Sequence, residues 1–475
     1  MLTNEPIPGT RDRFGLELRQ REYVTRVLAD QARACGYERL QVPLLERASS
    51  FTQGVVGRSP WPEWDARSIF PVQVLDYAAG YAVPLGETEA LLIPEGTVSV
   101  ARWLGRYLDS GTGAVLPIKV FYELTCHRNE PVGDLTDSKL REFAQFGMEI
   151  LGAANPAADT ETVTLIHDLL TTLGVPGSAV RIRANDVGIF SHLVAECGIG
   201  ETETIALKET LDALAECRAG KKPQRRPGLL ARAREVLGSC ALDTKQREVW
   251  EHLLSGLLAR AREVLGSCAL DTKQREVWEH LLSFEPGQLG RTRELLVGNG
   301  YHARLVALTR LRDQLRERGV NLMIDLGVVR SHEYYTGLSF EVDVVTEHAA
   351  FVEIAGGGRY DRLVGTFTRC GDHEIVPSMG FAFGVERLTE VLASLGILSG
   401  HAERPRTVFR FAAGSAERLL VPAYDDPIVA YLAAWEAARQ PREQERVDIY
   451  VGDDTSSQAV AAYARQRGIP EVAWC

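Results

Sequence analysis

The sequence has little that would hold it anywhere but in its own core. No stretch approaches the roughly 20 apolar residues of a membrane-spanning helix. The opening stretch "MLTNEPIPGTRDRFG" carries no apolar h-region. The eight cysteines are scattered, with no C-x-x-C pair, which argues against a zinc ribbon and against a disulfide framework. A reducing, cytoplasmic setting without a membrane partner is therefore expected. Positive charge is also in short supply. Lys and Arg number 53 against 64 Asp and Glu, for a net charge of −11. That excludes a general basic footprint for nucleic acid, though not a local basic path.

What is present is enough for two or three domains, with 475 residues of ordinary globular composition. "LELRQREYVTRVLADQARACGYERLQVPLLER" reads as an amphipathic helix ending near Gly36, then a strand with Pro43 inside it. Proline removes a ladder donor, so that strand belongs at an edge or an interface. "EALLIPEGTVSVARWLGRYL" is a strand entering a helix. Alternation continues to about Asp186, and 1–186 is read as the first part of one core. From 187 to 320 the character is helical, an insertion containing "GLLARAREVLGSCALDTKQREVWEHLLS" at 228–255 and again, unchanged, at 256–283. Solenoid repeats drift in sequence; identical copies indicate a recent duplication or an error in the sequence. Just before it, "GKKPQRRPG" reads as a solvated basic loop, with nucleic-acid contact as the alternative. Strands return over 321–400, the second part of the core, and 407–475 alternates strand and helix as a small α/β domain.

The chemistry concentrates in "CHRNEPVGDLTDSKLREFAQFGMEILG", Cys126 to Gly152. "VFYELTCHR" has strand composition, "PVGDLTDSK" has turn composition, and "LREFAQFGMEIL" alternates with period two. Ala144, Phe146, Met148 and Ile150 form its apolar face; Arg141, Phe143, Gln145, Gly147 and Glu149 form the other. Arg128 and Glu130 extend the first strand. Such a face is ordinarily just solvated. Here Gly147 reads as a gap where a ligand approaches the strand, and Phe143 among charges as a stacking surface. Arginine would hold a phosphate, the ring would stack on a base, and Glu130 would accept from an exocyclic amine.

Two more stretches supply glycine on strands. "IAGGGRYD" places Gly356, Gly357 and Gly358 before Arg359; it is not a G-x-G-x-x-G nucleotide loop. "GFAFGVERL" leads from a strand into a helix with Arg387 in its first turn, a second candidate anion clamp.

Together these stretches resemble the class II aminoacyl-tRNA synthetases, and among them the histidyl family. "GYERLQVPLLER" is similar to motif 1, the Cys126 to Gly152 hairpin to motif 2 and "PSMGFAFGVERL" to motif 3. "VVRSHEYYTGLSFEV" and "AGGGRYDRLV" are similar to the two histidine signatures, and "LIPEGTVSVAR" to the segment that holds the amino acid's ammonium. The first signature usually reads R-G-L-D-Y-Y; here it is Arg330-Ser331-His332-Glu333-Tyr334-Tyr335. The resemblance implies an α/β (α+β) fold, an antiparallel sheet flanked by helices, with 407–475 as a short anticodon-binding-like domain.

It also implies roles. Arg128 and Arg387 would grip ATP phosphates, with Arg330 between carboxylate and α-phosphate; these three form the catalytic set. Glu130 would read the adenine amine and Phe143 would stack on its ring. Glu95, Thr97 and Gln145 would hold the α-ammonium, while Glu149 and Tyr335 would bond the two imidazole nitrogens. Tyr334 and Gly357 complete the amino-acid set. ATP and Mg2+ are the expected cofactors, with no metal held by protein motifs beyond an ATP-bound Mg2+. Expected partners are histidine or an analogue, tRNA, and a second copy in a homodimer. Two alternatives share this fold: the histidine-sensing regulatory subunit of ATP phosphoribosyltransferase, which would pair with its catalytic subunit, and an adenylating paralogue in a biosynthetic pathway.

Overall fold

The computed structural model describes residues 4–52, 55, 69–76, 83–111, 113–132, 135, 139–189, 191, 300–325, 328, 334–346, 351–371, 374–400, 418–421, 447–449, 451, 454, 456–466 and 471–474. The duplicated copies, the basic stretch 221–226 and residues 329–333, including Arg330, lie outside them.

The chain begins with helix α1 (Leu16–Ala34), which buries Val24, Leu28 and Ala32, one per turn. Gly36, at φ 81°, turns the chain out of it. Two short strands follow, β1 (Glu38–Arg39) and β2 (Leu45–Arg47). Pro43 lies between them and inside neither. The single strand expected around Pro43 is thus two edge strands in two different sheets.

The remaining strands of the core are β3 (Phe70–Asp76), β4 (Val83–Leu92), β5 (Ile118–His127), β6 (Glu142–Leu151), β7 (Val180–Asp186), β8 (Leu322–Ile324), β9 (Leu338–Val345), β10 (Phe351–Arg359) and β11 (Ser378–Gly384). Eight of them form one sheet in the order β1-β5-β6-β11-β10-β9-β7-β8. It is antiparallel except for its two outermost pairs. β2, β4 and β3 make a small antiparallel sheet of their own.

The sheet is buried on both faces. On one, Phe146, Met148, Phe340, Val342, Phe381 and Phe383 pack among α1, α3 (Pro156–Thr172), α4 (Gly300–Arg316) and α5 (Val385–Ser394). Helix α3 starts where Asn155 accepts from Ala157 N and Pro156 presets the first turn. Helix α4 sits on this core through Leu305, Leu308, Leu311 and Leu315, although its residues fall in the stretch read as an insertion. On the other face, Val120, Tyr122 and Leu124 pack with α2 (Gly96–Asp109) through Val98, Val100, Ala101 and Leu104. The period-two reading of 141–151 therefore holds, with a core on each side.

Among the described residues of the tail, β12 (Arg418–Val421), β13 (Val447–Ile449) and β14 (Glu471–Trp474) form a parallel sheet, with α6 (Ser457–Gln466) before the last strand. No helix among the described residues is long and apolar enough to cross a membrane.

Candidate active site

The candidate site lies between the N-terminus of α2 and the centre of the large sheet. Alternate residues of β6 face it. Phe143, Gln145, Gly147 and Glu149 follow one another at steps of about 6.6 Å, while Ala144, Phe146, Met148 and Ile150 go to the opposite core.

Glu149 marks the deep end and is fully buried. Thr97 Oγ1 and Tyr122 OH donate to its Oε1, at 3.0 and 3.3 Å. Tyr360 OH donates to its Oε2 at 2.7 Å. Burial pushes the carboxyl up to about 8; the bonds from Tyr360 and Thr97 work against that, and nearby Glu95 works with it. Near pH 7 the carboxyl thus holds its proton for most of the time. Burial likewise raises the phenols of Tyr122 and Tyr360, with Glu149 adding to the effect.

Glycines make room for this cage. Glu149 faces Gly380 in register, and Gly380 faces Gly358. A Cβ on Gly380 would fall 1.4 Å from Glu149 Oε2. A Cβ on Gly358 would fall 2.7 Å from the Tyr335 ring. Glu149 and Tyr335 thus lie over neighbouring glycines of one cross-strand row, the two groups expected to meet an imidazole. Gly357 points the other way: its Cβ would meet Phe381 at 2.7 Å and Phe340 at 2.8 Å, in the core. The strand alternation puts Gly356 and Gly358 on the site's face and Gly357 on the other, so Gly357 is not brought together with the other residues expected to bind the amino acid. Gly147 also differs from expectation. The space above it is filled by Tyr122, whose Cζ would lie 2.1 Å from a Cβ there. The glycine accommodates a protein ring.

Glu95 and Thr97 come from the start of α2, where Glu95 is the N-cap residue. Glu95 is buried, and its Oε2 accepts from Tyr334 OH at 3.1 Å. Gln145 Oε1 accepts from Gly96 N at 3.0 Å and from Cys126 Sγ at 3.4 Å. Burial pushes the Cys126 thiol up, so it keeps the proton it donates.

The residues expected to hold the nucleotide lie towards the shallow end. Arg128 Nε donates to Pro94 O at 3.1 Å, and its guanidinium lies 5.1 Å from the centroid of the Phe143 ring. Glu130 is buried and paired with Lys139 at 2.9 Å. Arg141 leaves the polar row to donate to Glu130 O. Arg387 stands in the first turn of α5, beside the end of β11. That helix start is clamped to β6, because Glu386 accepts from Ala144 N at 2.8 Å. Arg387 itself is half-buried and makes no hydrogen bond or ion pair with the described residues. Arg359, by contrast, turns away to Asp159, Ala153 O and Asp361, tying the glycine strand to α3. Among the described residues no cluster of three or more His, Cys, Asp or Glu could hold a metal.

The order of chemistry along β6 is therefore carboxyl cage, amide, aromatic with guanidinium. The sequence model of the histidyl-tRNA synthetases matches residues 9–219 and 228–388. The chain belongs to the histidyl-tRNA synthetase family. Within it, the chain is 27% identical over 395 residues to the histidine–tRNA ligase of Sulfolobus acidocaldarius, covering 82% of this chain and 74% of that protein. It is 26% identical over 490 residues to the ATP phosphoribosyltransferase regulatory subunit of Synechococcus elongatus, covering 100% and 95%. The structure of a histidyl-tRNA synthetase from a Nostoc species superposes with TM-score 0.56 at 17% identity, over 99% of this chain and 90% of that one. The family thus holds both kinds of relative at like identity, and the fold is theirs.

Sequence reasoning missed Tyr122, Tyr360 and Cys126. Tyr122 was legible only as strand composition, yet it faces Gly147 in register, a large ring opposite a missing side chain. Tyr360 directly follows the glycine row and Arg359. Cys126 gave no signal, because a lone cysteine in a strand is usually a small core residue.

Proposed function

We propose that this member of the histidyl-tRNA synthetase family binds histidine and activates it with ATP, giving histidyl-adenylate and pyrophosphate for transfer to tRNA. The observation that carries the reading is the layout along β6: a caged Glu149 deep in the sheet, then the amino-acid head-group residues, then Phe143 and Arg128 with Arg387 alongside. Glu149, with Tyr335 on the adjoining glycine, reads the imidazole and fixes its proton arrangement. The head group lies towards Thr97 and Gln145. Its carboxylate oxygen attacks the α-phosphorus, and pyrophosphate leaves. This chain's own contribution is alignment and positive charge, with Arg128 and Arg387 on the phosphates and Arg330 at the α-phosphate. Mg2+ fits as an ion carried in on the triphosphate, since no protein cage among the described residues would hold it. A two-fold partner would cover the edge strands around Pro43.

A second reading has one observation in its favour. The regulatory subunit of Synechococcus elongatus aligns with all of this chain and 95% of itself. Under that reading the site senses histidine for a catalytic partner and leaves ATP untouched. Separate calorimetric titrations with histidine and with ATP, followed by assay of pyrophosphate release from the mixture, tell the two apart. Activation requires both ligands to bind and pyrophosphate to appear. Histidine binding with no pyrophosphate favours the sensor, and no histidine binding removes both readings.

A further inference from the structure

Strand β11 stops at Gly384, opposite Gln145, and the next residue opens α5. The neighbouring position of β6, Ala144, is thereby left with a backbone N–H and no rung of β11 to take it. Glu386, in the first turn of α5, supplies that rung: its Oε2 accepts from Ala144 N at 2.8 Å. Each end of this bond has a residue of the expected nucleotide set beside it. Phe143 precedes Ala144, and Arg387 follows Glu386. The Arg128 guanidinium in turn lies over the Phe143 ring. One carboxylate thus sets where Phe143 and Arg128 stand relative to Arg387.

That carboxylate is buried, and a buried carboxylate without a cation is costly. The cation comes from the start of the chain. Arg13 Nη2 donates to Glu386 Oε1 at 3.1 Å, across 373 positions of sequence, and only 15% of the Arg13 side chain is exposed. Arg21 of α1 stands 3.5 Å from the same oxygen, but Glu123 shares it, also at 3.5 Å. The stretch before Arg13 lies on the start of β6 as well. Gly9 O accepts from Arg141 N at 2.8 Å and from Glu142 N at 3.2 Å. Gly9 has φ 87°, and a Cβ there would fall 2.8 Å from Arg141 Cγ. The cage around Glu149 is built from other parts of the chain, Thr97, Tyr122 and Tyr360.

We propose that Arg13 is a positioning residue for the nucleotide half of the site, acting through Glu386 on Arg387 and Phe143. Residues 9–13 form a strap that fixes the start of α5 against the start of β6. Loosening the strap at Arg13 lets the two sides of the nucleotide grip drift apart and leaves the histidine half as it was. This rests on the reading of the site as one that binds ATP as well as histidine.

ATP and histidine are titrated separately by calorimetry into wild-type protein, Arg13→Met, Arg13→Lys, Glu386→Gln and the double variant Arg13→Met/Glu386→Gln. The methionine removes the cation and keeps the reach; the glutamine keeps an acceptor for Ala144 N–H and needs no cation. Arg13→Met should weaken ATP by about five-fold or more. Its histidine affinity should match wild type, which also shows that the variant is folded. Arg13→Lys keeps the charge and should retain most of the ATP affinity. In the Glu386→Gln background, Arg13→Met should cost nothing further, because the carboxylate it serves is gone. Equal losses for both ligands, or a variant that does not fold, would make Arg13 a support of the fold alone and overturn the proposal. Unchanged ATP affinity would overturn it too, as would the same loss with and without Glu386. Wild-type protein that binds histidine and not ATP would remove the activation reading itself, and this inference with it.

Discussion

The Glu149 carboxylate occupies the place of the side chain that Gly380 lacks: a Cβ on Gly380 would sit 1.4 Å from Glu149 Oε2. The two residues are direct cross-strand partners, so neither can move without opening the β6–β11 ladder. Gly380→Ala should therefore push Glu149 off Tyr360 and destroy the deep end of the pocket. The expected cost in stability is about 1–3 kcal/mol, as for other overpacked cores, with histidine binding lost altogether. Thermal unfolding and calorimetry on the same sample check both parts. A variant that binds histidine normally would show that the carboxylate position is not needed.

The buried carboxyl also predicts a pH dependence. Its folded value is about 8 against an ordinary 4.5, so the native protein holds a proton that the unfolded chain has released. Stability attributable to this group is then full below about pH 4.5 and falls as pH rises towards 8. Glu149→Gln has no such proton and should gain on the wild type across that window, by an amount on the order of a few kcal/mol. Urea unfolding of both proteins at pH 5, 6, 7 and 8 measures the difference. Parallel curves would mean that Glu149 is ionised throughout. Separately, a bound imidazolium would displace that proton and leave Glu149 ionised against it, a charge that Gln cannot supply; Glu149→Gln should therefore weaken histidine by roughly one to two orders of magnitude and leave ATP unaffected, because hydrogen bonds to charged groups contribute about 1.5–3 kcal/mol.

Much of this geometry was legible in the sequence, for a definite reason. Period-two alternation over 141–151 sets which side chains share a face, and the faces followed it, with Met148 and Ile150 in one core and Gln145 and Glu149 on the other side. The stripe of Val385, Leu388, Val391 and Leu392 likewise placed Arg387 on the first turn of its helix. What alternation does not supply is cross-strand register. Gly147 looked like space for a ligand because nothing in its own strand showed that Tyr122 lies opposite. Gly357 looked equivalent to its two neighbours, and only its pairing with Phe340 and Phe381 assigns it to the core. The cage around Glu149 joins α2, β5 and the residue after β10, partners up to 211 positions apart, and no local pattern encodes such meetings.

Farther along the same face of the sheet, Arg183 holds three carboxylates. It bonds Asp343 at 2.8 Å, Asp325 at 3.3 Å, and Glu341, with Arg181 also on Asp343. Burial works to lower the Arg183 guanidinium, and the carboxylates of Glu341 and Asp343 outweigh it. Arg183→Met would leave Glu341 buried without its cation. A loss of about 3–5 kcal/mol is expected at pH 7, shrinking on acidification as the freed carboxylates take up protons. Urea unfolding at pH 7 and pH 5 tests this, and an equal loss at both would contradict it.

The edge strands around Pro43 predict a pairing surface. Leu44 and Leu45 are 47% and 49% exposed beside two short, unprotected strand edges. A second copy related by a two-fold axis would cover them. Light scattering should give a dimer mass that Leu45→Lys shifts to monomer; a wild-type mass of one chain at all concentrations would reject the surface.

The central claim is that the site activates histidine. Histidine-dependent exchange of labelled pyrophosphate into ATP tests it most directly, because it requires the forward and reverse steps of adenylation and no acceptor. Run against all twenty amino acids, exchange is predicted with histidine above every other, and its loss in Arg387→Ala with histidine still bound. Exchange with a different amino acid, or none with histidine while calorimetry shows it bound, would contradict the account.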